Sequence, residues 1–137
     1  MSLTFQTLSD WLTSLGVQFP VNVDGVAAPN QGPYIPEEPD KLVTVTMLPG
    51  TGYELEGAVD SPSFQLRVRS GQNTQTDAET LALSLDNAIL NAKFPTVIDN
   101  TKIQVASRLG GAPAVLGPPD DGFRYDYVST YRILVGT

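Results

Sequence analysis

The sequence predicts an α+β domain in which two helices pack on one face of a mostly antiparallel sheet of four to five strands, with long loops between the strands. Three observations carry this. Residues 42–48 and 63–70 alternate apolar and polar side chains with the period of two that a half-buried strand requires. Residues 76–93 draw one apolar stripe at helical spacing. Residues 19–40 contain five prolines, each fixing its own φ and pushing the residue before it toward extended backbone, so helix is excluded there.

In chain order, Phe5, Leu8, Trp11, Leu12 and Leu15 recur at helical spacing over residues 3–15, with Ser2 or Thr4 available as N-cap and Gly16 placed for a left-handed C-terminal cap. A helix this short is marginal alone in water, so it must dock, and Trp11 is expected to be its core anchor. Residues 17–41 read as a Pro-rich extended lead-in, with one short strand or edge in residues 21–26. In residues 42–48, Val43, Val45 and Met47 share a face opposite Thr44 and Thr46. Residues 49–62, with Tyr53, Glu54, Glu56 and Asp60 among glycines and prolines, read as a long hairpin loop. In residues 63–70, Phe64, Leu66 and Val68 oppose Gln65, Arg67 and Arg69, which places two of the chain's eight basic residues on the wet face, solvated or covered by a neighbour.

Thr76 with Glu79 three positions on has the form of a capping box, followed by the stripe Ala78, Leu81, Ala82, Leu85, Ile89 and Ala92. At 1.5 Å per residue, residues 76–93 make a helix of roughly 27 Å, long enough to cross several strands. Phe94 and Pro95 end it. Residues 102–109 predict a third strand and residues 123–135 a fourth, rich in Tyr125, Tyr127, Val128, Tyr131, Ile133, Leu134 and Val135. Between them, residues 110–122 hold glycines, prolines and Asp120-Asp121, a loop far longer than a hairpin needs and so a candidate for function. Phe64, Leu66, Leu81, Leu85 and Val105 are assigned to the core. The whole is expected to be one domain: residues 1–16 a helix, 17–41 the lead-in, 42–137 the sheet and long helix.

Composition narrows the chemistry. At 137 residues, 14.7 kDa and 41% hydrophobic, the chain can build a real core without metal or disulfide. It has no cysteine and no histidine, which removes thiolate metal sites, thiol nucleophiles and the usual general base. Eight basic against fifteen acidic residues give a net charge of −7 and a pI near 4.3, which disfavours tight non-specific nucleic-acid binding and attachment to an anionic membrane. The first fifteen residues carry no Lys or Arg and do not resemble a signal peptide, and no stretch approaches a membrane span. The chain is expected to be soluble and intracellular when made.

Candidate chemistry is sparse. Gly50 and Gly52 precede Tyr53-Glu54 rather than a helix, so no phosphate-binding loop is predicted. Lys41, Lys93 and Lys102 each sit beside an element end, as solvated lysines do. Glu37, Glu38 and Asp40, Glu54 and Glu56, and Asp120, Asp121 and Asp126 form carboxylate groups that could serve a glycosidase or a hard cation, but their Pro/Gly surroundings read as wet loops. Phe123, Arg124, Tyr125, Tyr127, Tyr131 and Arg132 interleave aromatic and basic side chains as a single-strand stacking platform does, and tyrosines of a packed strand explain the same pattern more simply. No catalytic residue, cofactor or metal is expected.

Taken together, the run Tyr34-Ile35-Pro36-Glu37-Glu38-Pro39-Asp40 before the strand at 42–47, then Ser63-Phe64-Gln65-Leu66-Arg67-Val68-Arg69, the long helix and a terminal aromatic strand resemble the minor capsid family of tailed bacteriophages, whose members look like tail-terminator or head-tail joining proteins. The resemblance spans residues 34–135. It implies a virion protein of the tail or neck, assembled in the host cytoplasm: a homo-oligomeric ring, a hexamer, that caps the tail tube protein and meets the head-tail connector or stopper protein, with genomic DNA passing through unbound and no membrane involved. Under that reading, the loops at 49–62 and 110–122 carry the contacts. The expected interface residues are Tyr53, Glu54, Glu56, Arg67, Arg69, Asp120 and Asp121, with the two arginines paired to acids of an adjacent subunit. A stopper or tube subunit shares these features. Readings from other classes are a small carboxylate enzyme acting on polysaccharide and a small-ligand module with the same core.

Overall fold

The computed structural model describes residues 3–48 and 61–136. Thr4 caps α1 (Phe5–Ser14), its hydroxyl accepting the Thr7 N–H. The apolar stripe of α1 buries Leu8, Trp11 and Leu12, and the Trp11 ring lies 6.0 Å from that of Phe94, so Trp11 is the expected anchor. Gly16 takes a positive φ of 89° beyond the helix end. In the lead-in, residues 21–26 form no strand; one isolated bridge joins Val21 to Ala27. The strand that the lead-in does supply is β1 (Asn30–Gln31), which runs parallel to β2 (Leu42–Leu48).

β3 (Ser63–Arg69) pairs antiparallel with β2, Val45 facing Leu66 and Thr44 facing Arg67. After α2 (Gln75–Leu90) come β4 (Thr96–Ile98), β5 (Thr101–Val115) and β6 (Asp126–Gly136). The sheet has six strands in the order β1-β2-β3-β6-β5-β4. It is therefore mixed, and larger than the four to five antiparallel strands expected. β1 and β4, at two and three residues, are too short to show any periodicity. The fold class, α+β with two helices, stands.

Three local expectations are corrected. The Thr76–Glu79 capping box does not form: α2 begins one residue earlier, its N-cap Thr74 makes no side-chain cap bond, and Glu79 accepts the Tyr127 hydroxyl instead. Residues 110–122 are not all loop. β5 continues to Val115, and the register jumps from Leu109 opposite Thr130 to Ala114 opposite Val128, so residues 110–113 bulge out and pairing resumes. Gly110, at φ 81°, makes that excursion without a Cβ clash. The last strand begins at Asp126 rather than 123, because Phe123 adopts φ 59° in a turn.

The core lies between the helices and one face of the sheet, where Val43, Val45, Phe64, Leu66, Val68, Ile103, Tyr131, Ile133 and Val135 meet Leu8, Trp11, Leu12, Ala78, Ala82, Leu85 and Ile89. Phe64 stacks on Tyr131 with ring centroids 5.3 Å apart. Two of the five assigned core residues are displaced. Leu81 is half-buried at the margin, and Val105 is 40% exposed on the opposite face. The cause at Val105 is a second bulge: Ile103 faces Val135 but Val105 faces Leu134, so Gln104 is an extra residue that flips the alternation beyond it.

Candidate assembly interface

The outer face of the sheet, away from the helices, is where the lead-in does its work. Gly32 lies so close over β2 that a Cβ there would collide with Thr46. Further on, the chain is fastened by two buried arginines. Arg69, at the end of β3, donates through Nε to the Asp40 carbonyl at 2.8 Å and through Nη2 to the carbonyls of Pro39 at 2.6 Å and Glu37 at 3.3 Å. Arg124, in the turn before β6, donates through Nη1 to the Glu37 carbonyl at 2.6 Å and to Asp40 at 3.3 Å, and through Nε to Asp120 at 2.9 Å. Desolvation and the neighbouring Arg124 charge push the Arg69 pKa down, partly offset by Asp126, Asp120 and Asp40.

Asp120 organises the turn around itself: its Oδ1 accepts the backbone N–H groups of Gly122 and Arg124, each at 2.9 Å. Burial pushes its pKa up, but those two N–H donors and the Arg124 guanidinium outweigh it and hold the carboxyl below its ordinary value. A group depressed on folding stabilises the fold above its unfolded pKa, and that contribution disappears as pH falls through the folded pKa. Asp120→Asn is therefore expected to lower the melting temperature at neutral pH, and to lose less than the parent as pH drops below about 4. Thermal melts from pH 7 downward check this.

The result is a cleft of about 420 Å³ lined by Glu37, Glu38, Asp40, Asp120, Asp121 and Arg124. The carboxylates of Glu37, Glu38 and Asp121 face solvent, while Arg124 neutralises part of the charge beneath them. Of the expected interface residues, Asp120 and Asp121 are brought here and Arg69 lies below. Arg67 sits beside them, its Nη2 2.8 Å from Asp126 Oδ2. Both arginines are engaged within the chain, and residues 37–40 of the lead-in lie against Arg69 at the end of β3. Tyr53, Glu54 and Glu56, with the rest of the expected 49–62 loop through residue 60, lie outside the described residues. Sequence reading missed Arg124 as the hub, since partners 84 and 87 positions away leave no local pattern.

The aromatic run does not form a platform. Tyr127 and Tyr131 point into the core and Phe123 is exposed. Among the described residues, no group of three or more acidic side chains is placed to hold a metal ion, and no helix is long and apolar enough to cross a membrane.

Residues 22–135, from the lead-in to the last strand, match the family model of the bacteriophage tail terminator protein. The chain belongs to that family. It is thus a structural protein of a phage tail, as the resemblance implied. Among solved structures, the fold is similar to a chain in the virion of a native gene transfer agent particle, with a TM-score of 0.61 and 15% identity, covering 92% of this chain and 84% of that one. No curated protein matches the sequence. The tail-terminator match takes in α2 and all six strands but for the last residue of β6, and leaves α1 outside it.

Proposed function

We propose that this protein closes a tail: copies form a ring, a hexamer, that seats on the head-proximal end of the tail tube, stops its growth and presents its other surface to the head connector or stopper. The observation that carries the reading is the tail-terminator match over residues 22–135. The occurrence of a similar fold in a gene transfer agent virion supports it. The role is structural, and DNA crosses the ring without specific binding; a net charge of −7 suits a channel that must not hold phosphates. The turn at 116–125 and the lead-in at 30–40 supply contacts, because both stand on a rigid sheet and are pinned by Arg69 and Arg124.

Electron microscopy and native mass measurement of the purified protein test this. Discrete closed rings of one stoichiometry are expected, and a phage deprived of the protein is expected to make tails of uncontrolled length. Open tubes of the purified protein would instead make it a tube subunit.

A further inference from the structure

The outer face of the sheet is covered unevenly. The lead-in crosses it over β2 and β3, whereas over β4, the first half of β5 and the second half of β6 no described residue does. There the register sets Val97 beside Lys102, Val105 beside Leu134 and Ser107 beside Arg132, all on one face. Val97 is 64% exposed, and Val105 and Leu109 are each more than a third exposed. An open sheet face carrying aliphatic side chains gains by being covered.

Its charge says by what. Among the described residues, Lys41, Arg67, Arg108 and Arg124 each pair with a carboxylate and Arg69 is bound by carbonyls. Lys93, Lys102 and Arg132 have no such partner; Lys93 follows α2, whereas Lys102 and Arg132 stand on this apolar face, where the strands supply no acid. Among the acids without a basic partner, Glu38 and Asp121 lie in the cleft at the other end of β6, where Glu37 is already held 3.5 Å from Arg124. From Asp126 to Gly136 that strand spans about 33 Å at 3.3 Å per residue, so the two surfaces cannot meet within one chain. Face-to-face pairing of two copies would set Lys102 and Arg132 near their own duplicates, which like-charge repulsion opposes. The cleft also has apolar neighbours to offer, since Tyr34 and Phe123 are exposed beside it in the chain.

We propose that the apolar, cationic sheet face of one copy docks on the acidic cleft of the next, Lys102 and Arg132 meeting Glu38 and Asp121. This rests on the ring reading and assigns its contact. Such a heterologous contact, repeated at fixed rotation, closes a ring.

Two variants test it: Lys102→Glu/Arg132→Glu, and Glu38→Lys/Asp121→Lys. All four side chains are accessible and no ion pair among the described residues uses them, so both variants are expected to keep the parent's circular dichroism and melting profile. In native mass measurement, each variant alone is expected to fall to monomer where the parent forms rings. An equimolar mixture is expected to restore rings of alternating composition, and high salt to weaken the parent ring. Rings from either variant alone at parental concentration, or a mixture of folded variants that stays monomeric, would overturn the proposed contact and leave the ring reading standing. Variant rings that no longer bind tail tube protein would give the face to the tube instead. A parent that never forms rings would sink the ring reading itself.

Discussion

Replacing Asp86 by Ala is expected to destabilise the protein by about 3 kcal/mol, the lower end of the range for breaking a buried ion pair by removing one partner. Asp86 projects from α2 toward the sheet and is only 4% exposed. Its Oδ2 accepts Arg108 Nη1 at 2.6 Å and its Oδ1 accepts the Tyr131 hydroxyl at 2.7 Å. Truncation removes the carboxylate acceptor of a fully buried hydroxyl and leaves Arg108 without its carboxylate; the Arg108 side chain is 26% exposed, so water recovers part of that loss, which sets the low end. Urea unfolding measures the change. The titration of Tyr131 gives a second readout. Burial pushes its pKa far above the ordinary tyrosine value, with a hydrogen bond from Ser129 opposing and the Asp86 carboxylate adding to the rise. A group raised on folding contributes stability in full below its unfolded pKa, and loses it as pH climbs from there toward the folded pKa. The parent should therefore weaken above about pH 10, and Tyr131→Phe should flatten that decline.

The contrast between Asp86 and its neighbour Leu85 marks what a sequence can disclose here. Leu85, Phe64 and Leu66 are legible because a period of 3.6 or 2 is a local signal, repeated within a few residues, and all three are fully buried. Asp86 reads as an ordinary polar position of a helix, since its partners lie 22 and 45 residues away. The same holds for the candidate interface. Asp120 and Asp121 were visible as acids in a Pro/Gly segment. That Arg69 faces the carbonyls of residues 37–40, rather than water, depends on the lead-in folding back across β3, which no alternation encodes. Val105 shows the limit from within a strand: one extra residue, Gln104, reverses every later assignment while leaving the pattern of residue types unremarkable. The family, by contrast, was legible from the order of several short segments, each unspecific alone.

Leu85→Ala is expected to cost about 2–5 kcal/mol, by a different route from Asp86→Ala despite the adjacent position. Leu85 has no exposed surface and lies in the one core cluster that joins both helices to the sheet, alongside Ala82, Ile89, Phe64 and Tyr131. Removing its branched end forfeits burial and leaves a void, and the neighbours that could close it are held in place: Phe64 stacks on Tyr131, and Tyr131 is tied by its hydroxyl to the same helix. That tether opposes collapse and favours the upper part of the range. The two substitutions should then be non-additive, because Asp86→Ala frees Tyr131 to move toward the Leu85 cavity. A double-mutant cycle by urea unfolding decides it: a double variant less destabilised than the sum of the singles supports a shared support at Tyr131, and strict additivity would show that the apolar and polar fastenings of α2 act independently.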